Sequence, residues 1–225
     1  MYDLDRYRGC LLGGAVGDAL GYPVEFLSLA DIREWYGPAG ITSYALQHGV
    51  AQISDDTQMT LFTANGLLFS ETRRRIGAPG GGSVIDAVTA CYRDWLTTQR
   101  EPFRPETRNH TAWLMNVPEL YQRRAPGITC MEAIAQGAGG TIDRPINQSK
   151  GCGGIMRVAP AGLWLAKPRS RFAGRTVGGG DPRPRAGVSP RRSAGILRQY
   201  PGPWGDRFHL GGGPERGDLG GPAFF

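Results

Sequence analysis

Adjacent carboxylates bracketed by hydroxyls are the most chemically suggestive feature of this 225-residue sequence: Ile53-Ser54-Asp55-Asp56-Thr57-Gln58 leads into an apolar run. Such a segment offers hard oxygen donors, which suit Mg2+ or Mn2+ better than a thiophilic metal. The same residues also make a good helix start, with Ser54 or Asp55 as N-cap and the second acid favoured by the helix dipole. The two readings are compatible, because helix starts often present functional groups. Upstream, Gly13-Gly14-Ala15-Val16-Gly17-Asp18-Ala19-Leu20-Gly21-Tyr22-Pro23-Val24-Glu25-Phe26 combines glycines, which let other groups approach the backbone, with a proline that ends a helix and leaves Glu25 in the loop beyond it. Glu25 is there either as a working acid or as a solvated one at a tightly packed helix end. Downstream, Asn147-Gln148-Ser149-Lys150-Gly151-Cys152-Gly153-Gly154-Ile155-Met156-Arg157-Val158-Ala159-Pro160 forms a glycine-rich, amide- and hydroxyl-bearing turn that enters a helix, a reasonable cradle for a phosphate or a ribose. Lys150 and Arg157 within it could each meet an anion or be surface charges.

Taken singly, each of these segments is common. In combination and in order, G-D-A-L-G-x-P-x-E, then I-S-D-D-T-Q-M, then S-K-G-x-G-x-x-M-R-x-x-P, the chain resembles the ADP-ribosylglycohydrolase family over residues 5 to about 165. The resemblance implies an all-α fold, an orthogonal helical bundle with two Mg2+ or Mn2+ ions in a central cleft. It also implies release of ADP-ribose from a modified protein or a related small ADP-ribose compound. By motif match, Ser54, Asp55 and Asp56 take metal-ligand positions. Glu25 matches an acid implicated in catalysis or in gating the cleft, and with Asp56 it is assigned to the catalytic step. Gly151, Cys152, Gly153 and Gly154 would lie against the bound ADP-ribose. The residue types suit the chemistry: cleavage at the ribose C1″ passes through oxocarbenium-like charge, and a metal can orient the ribose hydroxyls and activate a water. Two ions about 3.5–4 Å apart need carboxylates from more than one segment. The family's second acidic cluster, D-x-D-S/T followed by glycine, is expected near the C-terminus. After residue 166 the acids Asp181, Asp206, Glu215 and Asp218 stand apart and form no such cluster.

The elements that must position these residues read as helices. Tyr7, Leu11 and Ala15 recur at helical spacing in a glycine-dense segment from Leu4 to Leu20, where glycines argue for close approach of other backbone or a ligand. Ser28 with Asp31 starts a helix that runs to Tyr36 and stops at Gly37-Pro38. Met59, Leu61, Phe62, Leu68 and Phe69 continue a stripe after Asp55, and RRRIGAPGGGSV reads as a mobile loop. Ser83 caps an amphipathic helix bearing Ile85, Val88, Tyr92, Trp95 and Leu96, and Thr129 with Glu132 forms a capping box for another. Gly153 to Leu165 is apolar and expected to be buried. No segment alternates with period two, so the ordered part is mainly α.

Composition divides the chain. Residues 166–225 carry 10 Arg and 1 Lys against 4 acids, a net of +7, whereas the whole chain is +6, so residues 1–165 come to about −1. That same stretch holds 14 Gly and 8 Pro among 60 residues, too few apolar groups in too broken a pattern to offset the entropy of ordering. Residues 1–165 are therefore expected to be an incomplete helical domain, and 166–225 a disordered or frameshifted tail. An alternative reading frame downstream of codon 166 encoding a G-D-x-D-S/T-like segment is the matching expectation at the DNA level. No run of roughly 18 apolar residues could cross a bilayer, and no secretory signal pattern opens the chain. The four cysteines form no C-x-x-C pair and read as buried free thiols in a reducing cytoplasm.

Three functional classes follow. The first is a metal-dependent hydrolase releasing ADP-ribose, whose activity the absent second acidic cluster puts in question. The second is a non-catalytic crystallin-like or ADP-ribose-binding relative. The third, nucleic-acid binding through the basic tail, lacks the interleaved aromatics of a single-strand groove and is the remotest.

Overall fold

The computed structural model describes residues 4–78, 83–105, 110–141 and 143–165. Within them the chain forms helices α1 (Leu4–Gly21), α2 (Leu29–Tyr36), α3 (Asp55–Arg75), α4 (Val84–Thr98), α5 (Ile128–Ala135) and α6 (Ala159–Leu165). A two-stranded antiparallel hairpin, β1 (Leu46–Gln47) with β2 (Val50–Ala51), turns at His48 and Gly49, both at positive φ. The all-α expectation holds. Strands of two residues are too short to leave a period-two signal in the sequence. The expected tail, 166–225, and the glycine loop at 79–82 lie outside the described residues.

Alpha-3 and α4 are the spine of the fold, packed on each other more extensively than any other pair of elements. Ser54 caps α3, its hydroxyl accepting the Asp56 N–H at 3.1 Å, and Asp55 and Asp56 stand in the first turn where the helix dipole favours anions. At the other end Arg73, Arg74 and Arg75 occupy the last helical turn, not a loop as their position before the glycine cluster suggested. Glu71 receives Arg74 at 2.7 Å and Arg75 at 2.8 Å, and cations suit a helix C-terminus. Alpha-4 starts as expected from a Ser83–Asp86 capping box and presents Val88, Tyr92, Trp95 and Leu96 to the core. Trp95 and Phe62 are wholly buried, and each such side chain contributes about 1.5–3 kcal/mol of hydrophobic stabilisation.

The buried stripe of α3 differs from the one expected. Met59, Phe62 and Leu67 are buried, Leu61 and Phe69 are half-buried, and Leu68 faces solvent. Polar Gln58, Thr63 and Asn65 take up the rest of the inner face, each with a partner. Thr63 donates to the Met59 carbonyl at 2.8 Å and shares a 2.6 Å hydrogen bond with the Tyr92 hydroxyl. The Asn65 oxygen accepts the Leu114 N–H at 3.4 Å. Asp94 anchors the chain beyond α4 by accepting the Thr111 and Ala112 N–H groups, both at 2.8 Å. Two apolar expectations need correction. Gly153 to Leu165 is only partly buried, with Arg157, Pro160 and Ala161 inside and Ile155 outside. Of the thiols, Cys91 and Cys130 are buried, but Cys10 and Cys152 are exposed.

Alpha-1 lies across α3 and α6 on its Tyr7, Leu11 and Ala15 face, as the spacing predicted, and Tyr7 donates to the Leu163 carbonyl at 3.2 Å. Its glycines behave otherwise. Nothing among the described residues comes within 4 Å of where a Cβ would sit at Gly9, Gly13, Gly14, Gly17 or Gly21. Close approach occurs instead at Gly66 of α3, where a Cβ would stand 2.6 Å from the Val88 Cα. Two alanine substitutions should therefore move in opposite directions. Gly66→Ala is expected to lower stability by about 1–3 kcal/mol through overpacking, while Gly13→Ala raises it by about 0.5–1 kcal/mol through helix propensity. Thermal denaturation followed by circular dichroism distinguishes them, and equal shifts at the two sites would contradict this packing.

Candidate active site

The N-terminus of α3 is fixed from two sides before any ligand is considered. From α1, one oxygen of Asp18 accepts the Ser54 N–H at 2.9 Å, the Thr57 N–H at 3.2 Å and the Thr57 hydroxyl. From the strap at residues 122–127, the Arg124 carbonyl accepts the Asp55 N–H at 3.0 Å, and the Asp55 carboxylate accepts the Gly127 N–H at 3.2 Å. Gln58, one turn further on, holds that strap. Its amide donates to the Gln122 carbonyl at 3.0 Å while its oxygen accepts from Trp95 Nε1 at 3.1 Å and Gln99 Nε2 at 3.0 Å.

These anchors leave a cavity of about 210 Å³ whose lining includes Glu25, Asp55 and Asp56 together with Gly151, Cys152, Gly153 and Gly154. Pro23 acts as expected: α1 ends at Gly21, Tyr22–Val24 makes one 3-10 turn, and Glu25 follows. Seven of the eight residues singled out in the sequence thus meet around one space. The eighth, Ser54, is buried in its cap, does not line the cavity, and acts on it through Asp56. The glycine-rich segment reaches the wall through a 3-10 turn at Cys152–Gly154, and Gly153 is required there because a Cβ would collide with Cys130 Sγ. Of the two cations considered for anion binding, Lys150 is exposed and does not line the cavity. Arg157 is neither a surface charge nor a cavity residue. It is 2% exposed, stacks over the Tyr92 ring at 4.7 Å and donates to Met59 Sδ at 3.0 Å, a cation held on a π-face inside the core.

The expected Thr129–Glu132 capping box is absent. Alpha-5 begins earlier, with Gly127 as N-cap; glycine has no side chain to cap the helix, and its own N–H is held by Asp55. Thr129 is thereby left on the cavity wall.

Negative charge accumulates around this space. Burial, followed by the charge of Asp55 and then those of Asp18 and Glu25, pushes Asp56 up to about 6. Burial pushes Asp55 to about 6 as well, against the opposing Gly127 N–H. Glu25 is raised by burial and by Asp18, and the Cys152 thiol by burial and by Asp56. Among the described residues no Lys or Arg forms an ion pair with any of the four acids. Oxygen donors with uncompensated anionic charge fit a hard divalent cation in type. They do not complete its shell, since no three His, Cys, Asp or Glu side chains among the described residues are placed to share one ion.

Comparison with known proteins bears on what this acidic cavity is. The profile of the ADP-ribosylglycohydrolase family matches residues 2–177, and so takes in every residue described above. The chain belongs to the ADP-ribosylglycohydrolase family. It is similar to the ADP-ribosyl-[dinitrogen reductase] glycohydrolase of Rhodospirillum rubrum, 43% identical over 67 residues, 28% of this chain and 22% of that protein. It is also similar to an uncharacterized protein of Archaeoglobus fulgidus, 39% identical over 66 residues, again 28% of this chain and 22% of the relative. The aligned stretch therefore spans about a fifth of each relative's own length. No solved structure matches the chain.

The family motifs quoted in the sequence include Asp18, Thr57 and Gln58 but gave them no role in holding the site together, and Gly127 lies outside those motifs. For Asp18 a signal existed. An acid in the last turn of a helix opposes the helix dipole, so it must be repaid by a partner elsewhere. The roles of the other three become visible only in three dimensions.

The raised carboxylates have a direct consequence for stability. A folded-state pKa of about 6 against the usual 3.8 means that stability present below pH 4 is lost as the pH rises towards 6 and these groups ionise in the cavity. In metal-free protein, Asp56→Asn is therefore expected to raise the thermal midpoint at pH 7 by about 2–4 °C. This corresponds to about 1 kcal/mol once solvent screening at this half-buried group is allowed for. At pH 3.5 the variant and wild type should coincide. A midpoint at pH 7 below that of wild type would show that the ionised carboxylate is stabilising instead.

Proposed function

We propose that this protein is a metal-dependent hydrolase that releases ADP-ribose from a modified side chain or a related small molecule. One observation carries the reading: acids from two separate segments and a glycine-rich turn from a third converge on a single cavity. Family membership supports the same chemistry, as does the name of the Rhodospirillum rubrum relative. Asp55 and Asp56, with Ser54 at the cap, would hold Mg2+ or Mn2+. When bound, the ion would supply Lewis acidity towards the ribose hydroxyls and lower the pKa of a coordinated water.

The chain's own residues divide the remaining work. The backbone of Gly151–Gly154, free of side chains beyond the Cys152 thiol, would admit a nucleotide-sized group close to the wall. Glu25 keeps a proton to higher pH than an ordinary glutamate does, which suits general acid or base work at a glycosidic oxygen or nitrogen. Withdrawal of Asp55 and Asp56 from water strengthens their hold on a cation and on the positive charge that develops at C1″.

A second reading has its own observation. The described residues supply too few ligands to enclose an ion, which suits a relative that binds ADP-ribose without cleaving it. One assay separates the two: release of ADP-ribose from an ADP-ribosylated protein with and without Mn2+, alongside binding of free ADP-ribose by calorimetry. The hydrolase reading expects Mn2+-dependent release that falls at least about 100-fold in Asp55→Ala, since loss of a direct ligand should exceed the 10–100-fold cost of losing an outer partner. Turnover unaffected by Asp55→Ala would overturn the metal assignment. Binding without release would establish the second reading.

A further inference from the structure

We infer that Asp18 is the positioning residue of this site: it does not face the reacting groups but fixes the α3 N-terminus on which Asp55 and Asp56 stand. As a statement about metal binding, this rests on the reading given under Proposed function. As a statement about position, it rests on geometry alone.

The geometry is unusual in its economy. A single carboxylate oxygen takes the Ser54 N–H, the Thr57 N–H and the Thr57 hydroxyl, so three donors that bracket Asp55 and Asp56 converge on one atom. Ser54 N and Thr57 N belong to the set of first-turn amides that a helix cannot satisfy internally. The Ser54 side chain reaches only the Asp56 N–H, and the Arg124 carbonyl takes that of Asp55. Asp18 completes the cap from another helix. Charge-assisted bonds to backbone amides are stronger than neutral ones, and the positive end of the α3 dipole faces the acid. This contact also offsets the unfavourable place of Asp18 in the last turn of α1. Tyr7 on the Leu163 carbonyl is a further polar anchor of α1. Among the described residues of α1, Ala19 alone is buried. The seating of α1 and the direction of the two cavity carboxylates are thus set by the same bonds.

The test uses the full chain and Mn2+ alone as probe. Amide hydrogen exchange is followed at residues 54–57, with Trp95 in α4 as internal reference, and Mn2+ affinity is measured by titration of the free-ion paramagnetic resonance signal. Asp18→Ala should speed exchange at Ser54 and Thr57 at least about 10-fold relative to Trp95 and weaken Mn2+ binding about 10–100-fold, the usual cost of losing an outer-shell partner. Asp18→Asn, which keeps an acceptor oxygen in place, should restore most of both. Thr57→Val removes one donor from Asp18 and should shift both readouts in the same direction by less, which keeps the test open if the alanine variant does not fold. Unchanged protection at 54–57 in Asp18→Ala would overturn the proposal, and so would exchange that rises equally at Trp95. Weakened Mn2+ binding with intact protection would make Asp18 a ligand and not a positioning residue. If wild type binds no Mn2+, the metal reading fails, while the exchange data still decide whether Asp18 fixes the helix start.

Discussion

Withdrawing several like charges from water around the start of one helix is the constraint that organises this molecule. Four acids, Asp18, Glu25, Asp55 and Asp56, interact across the first turn of α3, and none has a basic partner among the described residues. Such an arrangement is tolerable only if the backbone around it is fully hydrogen-bonded and cannot relax by fraying. The fold meets that condition with material from α1, from the 122–127 strap and from the interior of α3 itself. Alpha-1 and the strap both bear on α3, which is itself packed on α4. The stability of the α3–α4 spine is what allows the acids to remain close together.

The polar core follows from the same requirement. Gln58, Thr63 and Asn65 occupy positions where leucines would make a drier interface. Gln58 alone ties the strap, Trp95 and Gln99 to the turn that follows the acids. Buried hydrogen bonds of this kind are directional, whereas apolar packing is not. They fix the strap at one height relative to α3, and with it the carbonyl and the amide that hold Asp55.

Much of this was legible in the sequence, for identifiable reasons. Ser28, Ser54 and Ser83 each mark a helix start because their hydroxyls cap amides within two or three residues, an interaction written in local order. The convergence of Glu25, Asp55, Asp56 and Gly151–Gly154 was also foreseen, through motif order and not through any periodicity. Three features were not legible. The start of α5 was misplaced because its terminal amide is taken by a residue 72 positions away. The α1 glycines suggested close packing that the described residues do not supply. Arg157 looked like a surface or ligand-facing charge, because nothing local reveals that Tyr92 and Met59 wait for it in the core. In each case the deciding partner is distant in sequence, where pattern reading has no purchase.

The borrowed start of α5 has a consequence for motion. A helix with its own cap can fray and re-form without disturbing its neighbours, since the bond that stops it is local. Alpha-5 has no such bond: its first amide is held by Asp55, a carboxylate of the cavity. Any change in how Asp55 is engaged therefore alters the restraint on the start of α5. The cavity wall and the helix beside it are thus coupled through a single hydrogen bond, so local opening of one loosens the other.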